Sequence, residues 1–128
     1  MENKIDWIVA SLGSIIMFMF GQIDTPIIVL FMFIGMDYLT GIVKAYLKKT
    51  LSSSYGLKGF LKKLVMLLII SMGVLLDKLT GASGVMRNFV IFYYLANEGL
   101  SILENIAECG IKIPISLRNA LEQLKKEE

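Results

Sequence analysis

The chain has 128 residues, enough for one domain, with 55% hydrophobic and 19% charged residues and a net charge of +2. The mean hydropathy is +0.67, and the apolar residues are gathered into four blocks, which points away from a soluble enzyme and towards a membrane protein. There is no histidine and Cys109 is the single cysteine, which excludes an intrachain disulfide, the usual Cys/His metal sites and a Cys-His nucleophile pair.

The first block, Trp7 to Ile23, is free of charge and bounded by Asp6 and Asp24. Its length is near the lower limit for crossing hydrocarbon. It lacks the cleavage pattern of a signal peptide, so it reads as an uncleaved helix with Trp7 as an interfacial anchor. A polar turn over residues 21–26 follows, with Thr25 as the expected N-cap and Pro26 in the first turn of the next helix. The second block runs to Leu47 and carries Asp37 near its middle.

Lys44, Lys48, Lys49, Lys58, Lys62 and Lys63 then fall in one twenty-residue window without an acid; without them the net charge of +2 becomes −4. A lysine cluster can serve nucleic acid. Lying between two apolar blocks, this one reads as a basic loop on a membrane surface, with residues 51–56 as its irregular centre and Lys62 and Lys63 reaching for headgroups. The third block spans about Gly59 to Leu79, and residues 81–84 form a turn. The fourth, about Val85 to Ile106, is the least apolar. After Ile113-Pro114, Leu117, Leu121 and Leu124 recur at the spacing of a short amphipathic helix.

The expected fold is therefore all-α: a polytopic membrane domain over residues 1–110 with spans at about 7–23, 26–47, 59–79 and 85–106. A cytoplasmic amphipathic helix and charged tail follow over 111–128. With the lysine loop cytoplasmic, four spans place both termini in the cytoplasm. Lys78 and Arg87 beside the second outside turn sit awkwardly with this topology. Three spans, with the fourth block lying in the interface, is the competing arrangement.

A carboxylate within a span must face protein, water or a cation. Asp37 shares a helical face with Thr40, Gly41 and Lys44, while Gly41 and Ala45 form a small-xxx-small pair that permits close helix approach. This face reads either as an oligomer seam or pore strip, or as an internal pair with Lys44 or Arg87. In the fourth block Tyr94, Asn97, Glu98, Ser101, Asn105 and Glu108 follow one another at spacings of 3, 1, 3, 4 and 3, a single polar stripe. It suits a pore lining, a partner helix or the interface. Glu98 and Glu104 do not share a face, which disfavours a paired-carboxylate active site.

Met36-Asp37-Tyr38-Leu39-Thr40-Gly41, the stretches Arg87–Val90 and Ala96–Asn105, and Ile113-Pro114 with Leu117, Asn119, Ala120 and Leu121 occur in that order. Together they resemble the toxin-secretion/phage-lysis holin family over about residues 26–125. The resemblance implies a non-enzymatic protein of the bacterial inner membrane, without cofactor, catalytic or metal site. It would homo-oligomerise in the lipid bilayer into large lesions, with endolysin or a toxin as passive cargo and no nucleic-acid partner. A non-lytic channel, or a scaffold recruiting a cytoplasmic partner, remains as the alternative.

Overall fold

A computed structural model describes residues 2–126; Met1 and the last two residues of the charged tail lie outside the described residues. Five helices follow one another: α1 (Glu2–Phe20), α2 (Thr25–Leu47), α3 (Ser53–Thr80), α4 (Val85–Glu108) and α5 (Ile115–Lys126). There is no strand among the described residues. The all-α reading of the sequence holds.

The helix starts follow capping chemistry, and two differ from the sequence expectation. Asp24, not Thr25, is the N-cap of α2: its carboxylate accepts from Ile27 N at 3.4 Å, with Pro26 in the first turn. An aspartate acceptor also matches the positive end of the helix. Ser52 caps α3 by accepting from Tyr55 N at 3.1 Å. The serine-rich stretch expected as loop is therefore largely the first turn of α3. A serine run can begin a helix as readily as interrupt one. The N-cap of α4 is Gly84, which has no side chain to offer. Asp77 of α3 supplies the missing acceptor, taking hydrogen bonds from Met86 N at 2.9 Å and Arg87 N at 2.8 Å.

Helix α4 lies at the centre, packed against α2, α3 and α5, while the α1 backbone runs beside α3. Ile27 and Leu30 of α2, Ile70 of α3, and Ile91 and Leu95 of α4 form the apolar core. After the turn at Gly110, α5 folds back along α4 and buries Leu121. The fit depends on Gly99, where a Cβ would sit 2.7 Å from Leu121 Cδ2 and 3.2 Å from Phe33.

The exterior is apolar. Trp7, Leu12 and Phe18 on α1, Met32 and Leu39 on α2, and Leu68 and Met72 on α3 are all exposed, whereas Asp37, Asp77, Arg87, Glu98 and Asn105 are buried. This inverts the arrangement of a soluble protein and fits a bundle solvated by lipid tails. Three helices, α1, α2 and α3, are long and apolar enough to cross a membrane. Helix α4 has the length, 24 residues, but its polar stripe keeps it out of that set. The four-span expectation thus rests, for its last span, on how α4 is covered.

Candidate functional site: a charged seam between α2, α3 and α4

Lys63 of α3 holds the seam together. Its Nζ lies 2.5 Å from Asp37 Oδ2 on α2 and 2.5 Å from Glu98 Oε2 on α4. The second oxygen of Asp37 accepts from Asn105 Nδ2 at 2.9 Å, and the same amide donates to Thr40 Oγ1 at 3.0 Å. Thr40 in turn donates to the carbonyl of Met36 at 2.8 Å. Asn105 also passes close to Gly41, where a Cβ would sit 3.7 Å from its amide nitrogen. Three helices are therefore joined by one ammonium and one amide. With both carboxylates ionised, the triad carries a formal charge of −1. A buried ion group of this kind is held by its mutual pairing, and removing one member leaves the others desolvated and unpaired.

Of the residues singled out from the sequence, Asp37, Thr40, Gly41, Glu98 and Asn105 meet here. Ser101 lines a cleft that opens beside the seam. Lys44 pairs with Glu108, 3.7 Å away, and Lys48 with the same carboxylate at 2.7 Å. Tyr94 lies apart from the network, packed against the apolar core and edge-on to Tyr93. Asn97 is half-buried and makes no side-chain hydrogen bond among the described residues. The partner of Asp37 is neither Lys44 nor Arg87.

Lys63 requires a correction. It was expected on the surface with the other loop lysines, yet its side chain is only 18% exposed. Adjacent helical residues point about 100° apart, and here Lys62 faces outward while Lys63 turns inward. Lys63 falls on the face that continues through Met66, Ile70, Val74 and Asp77, all buried. That 3-4-4-3 spacing is the signal that identifies it. Lys49, Lys58 and Lys62 are exposed.

A second polar cluster closes the opposite end of the bundle. Arg87, buried at the start of α4, forms a two-pronged pair with Asp24, 3.0 Å on each prong. It also donates to the carbonyls of Phe20 and Gln22, each at 2.7 Å, which takes up acceptors left open where α1 ends. Gly21 makes this approach practicable: its φ is +72°, and a Cβ would sit 3.2 Å from Arg87 Nε. Lys78 donates to Phe18 O at 2.9 Å and stacks over the Phe18 ring. The Arg87 hydrogen bonds hold the Asp24 carboxyl below its ordinary range. Lys78 and Arg87, the two cations that sit awkwardly with the expected topology, thus both donate to carbonyls at the end of α1.

These features define an all-α membrane protein that buries a charged seam between its helices and turns its apolar surface to lipid. Comparison with known proteins then narrows the class: the profile of the bacteriophage holin family matches residues 14–126. An uncharacterised 14.9 kDa protein of Clostridium perfringens is 42% identical over 95% of this chain and 93% of its own length. An uncharacterised protein of Listeria monocytogenes is 36% identical over 94% of this chain and 86% of its own. A protein named "Probable holin" from Bacillus phage phi105 is 31% identical over 86% of this chain and 81% of its own. No solved structure matches. The chain belongs to the bacteriophage holin family. Two of the stretches that carry the resemblance, Met36–Gly41 and Ala96–Asn105, face one another across the seam through the Asp37–Asn105 hydrogen bond.

Proposed function

We propose that the protein acts as a holin in the bacterial cytoplasmic membrane. In this reading it accumulates as a quiet bundle, then oligomerises into large, non-specific lesions that let endolysin or a large toxin pass. It does so without catalysis or a cofactor. The observation that carries the mechanism is the position of the polar stripe on α4: Glu98 and Asn105 are paired within one subunit, covered by α2 and α3. A helix with this stripe is tolerated in hydrocarbon only while its polar face is covered.

The same groups have a second acceptable environment, namely water or the matching groups of a neighbouring subunit. A two-state element of this kind is what a protein needs to pass from harmless to lytic. Helix α4 then crosses the membrane under protein cover, as the fourth span. The lysine-rich end of α3 lies on the cytoplasmic side, and both termini lie there as well.

Controlled expression tests the reading. Uptake of an excluded dye is followed together with release of a cytoplasmic enzyme. Protein-sized release supports a holin, ion-sized leakage alone a channel, and neither a membrane scaffold.

A further inference from the structure

At the basic end of the bundle, beside the seam, a cleft of about 360 Å³ opens between α2, α3 and α4, and its walls include Tyr38, Lys44, Tyr55, Lys58 and Lys62. Two tyrosines bridge its sides: Tyr38 Oη donates to the Gly56 carbonyl at 3.3 Å and Tyr55 Oη to the Gly41 carbonyl at 3.4 Å. The cleft is thus formed in advance rather than left by loose packing. Lys63 and Asp37 at its floor are paired, with Lys63 shared by Glu98. Lys58 and Lys62, one helical turn apart, have no carboxylate within ion-pair distance among the described residues.

On the other side of the same two lysines α3 presents an open apolar flank of Leu57, Leu61 and Val65. Lys58 and Lys62 therefore stand on the ridge between a polar cleft and an apolar flank. The ligand such a ridge fits has an anionic head and a hydrocarbon tail. Its depth agrees: α3 has 28 residues and is about 42 Å long, longer than the roughly 30 Å hydrocarbon layer. Its lysine-bearing first turns therefore reach the headgroup level, where basic pockets between helices favour acidic lipids.

We propose that this ridge is a binding site for one anionic phospholipid. Its phosphate is held in the cleft by Lys58 and Lys62, and an acyl chain lies along Leu57, Leu61 and Val65. The cleft borders the seam of the proposed function, but lipid retention is read without lesion formation, so failure of one reading is distinguishable from failure of the other.

The full-length protein, purified in detergent, is titrated with dioleoylphosphatidylglycerol or dioleoylphosphatidylcholine, and retained lipid is counted by native mass spectrometry. The wild type is expected to keep one phosphatidylglycerol in preference to phosphatidylcholine. K58Q/K62Q should bind it roughly thirtyfold more weakly, from the loss of two lysine contacts. K48Q/K49Q removes the same charge outside the cleft and should bind as the wild type does. L61N should weaken retention with both lysines present. Equal retention by K58Q/K62Q and the wild type would overturn the site, as would an equal loss in K48Q/K49Q, which would mean diffuse charge attraction. Displacement of the lipid by equimolar glycerol phosphate, or full retention by L61N, would show that the cleft reads a free phosphate and overturn the lipid assignment.

Discussion

Asn105 Nδ2 on α4 lies 2.9 Å from Asp37 Oδ1 on α2, which fixes the polar stripe of one helix to the single buried acid of another. Lys63 completes the contact from α3. The seam therefore acts as a unit, and single substitutions should differ according to what they leave unpaired.

Lys63→Met should be the most damaging change in the seam. It leaves Asp37 and Glu98 facing each other without a cation, and breaking a buried pair in this way costs about 3–5 kcal/mol. Asp37→Asn leaves Lys63 paired with Glu98 and should cost less, with insertion retained and the timing of lysis altered. Unfolding of the detergent-solubilised variants measures both. Adding Glu98→Gln to Lys63→Met should recover part of the loss, a non-additivity expected of residues in one network.

Gly99→Ala should loosen α5 from α4. The new methyl would overlap Leu121, and overpacking of this kind costs about 1–3 kcal/mol. Limited trypsin digestion of the folded protein reads the effect, since faster cleavage at Arg118 is expected as α5 leaves its seat. Unchanged digestion would show that Leu121 re-packs without displacing the helix.

The Asp24–Arg87 pair gives a pH dependence with a definite sign. The folded-state pKa of Asp24 lies below its ordinary value, so its contribution to stability is complete above that ordinary value. It is lost as pH falls through the depressed one. Wild type and Asp24→Asn should therefore differ in unfolding midpoint at about pH 6 and converge towards about pH 2. A constant difference over this range would show that the charge on Asp24 is not what Arg87 holds.

Orientation is open to labelling. On a Cys109→Ser background, cysteines placed at the exposed Ser54 and Ser83 should react from opposite sides of the membrane, Ser54→Cys from the cytoplasm. Labelling of Ser54→Cys only from outside the cell would reverse the topology.

Much of this was legible in the sequence wherever periodicity alone decides. Asp37, Thr40 and Gly41 share a face, as do Glu98 and Asn105, and the structure brings the two faces together. Lys63 was hidden because a run of lysines reads as one solvated loop, although its place in the Met66–Ile70–Val74–Asp77 face separates it from Lys62. The cap of α2 moved one residue, from Thr25 to Asp24, because adjacent polar side chains compete to cap, and α3 begins at Ser53, ahead of the expected Gly59, because its serines start the helix. The seat of Leu121 on Gly99 and the clasp of Arg87 on the end of α1 join segments far apart in sequence. No local pattern encodes which distant segment fills them.

The central claim is that this chain releases proteins through lesions controlled by the α4 seam. Its most direct test is the time course of cytoplasmic-enzyme release after induction of the wild type, Glu98→Gln and Phe92→Leu. Phe92 lies on the exposed apolar side of α4 and serves as the control. The account predicts protein-sized release by the wild type, the same schedule for Phe92→Leu, and a shifted onset or extent for Glu98→Gln at equal membrane abundance. Release of ions without enzyme by the wild type, or identical time courses for all three proteins, would contradict it.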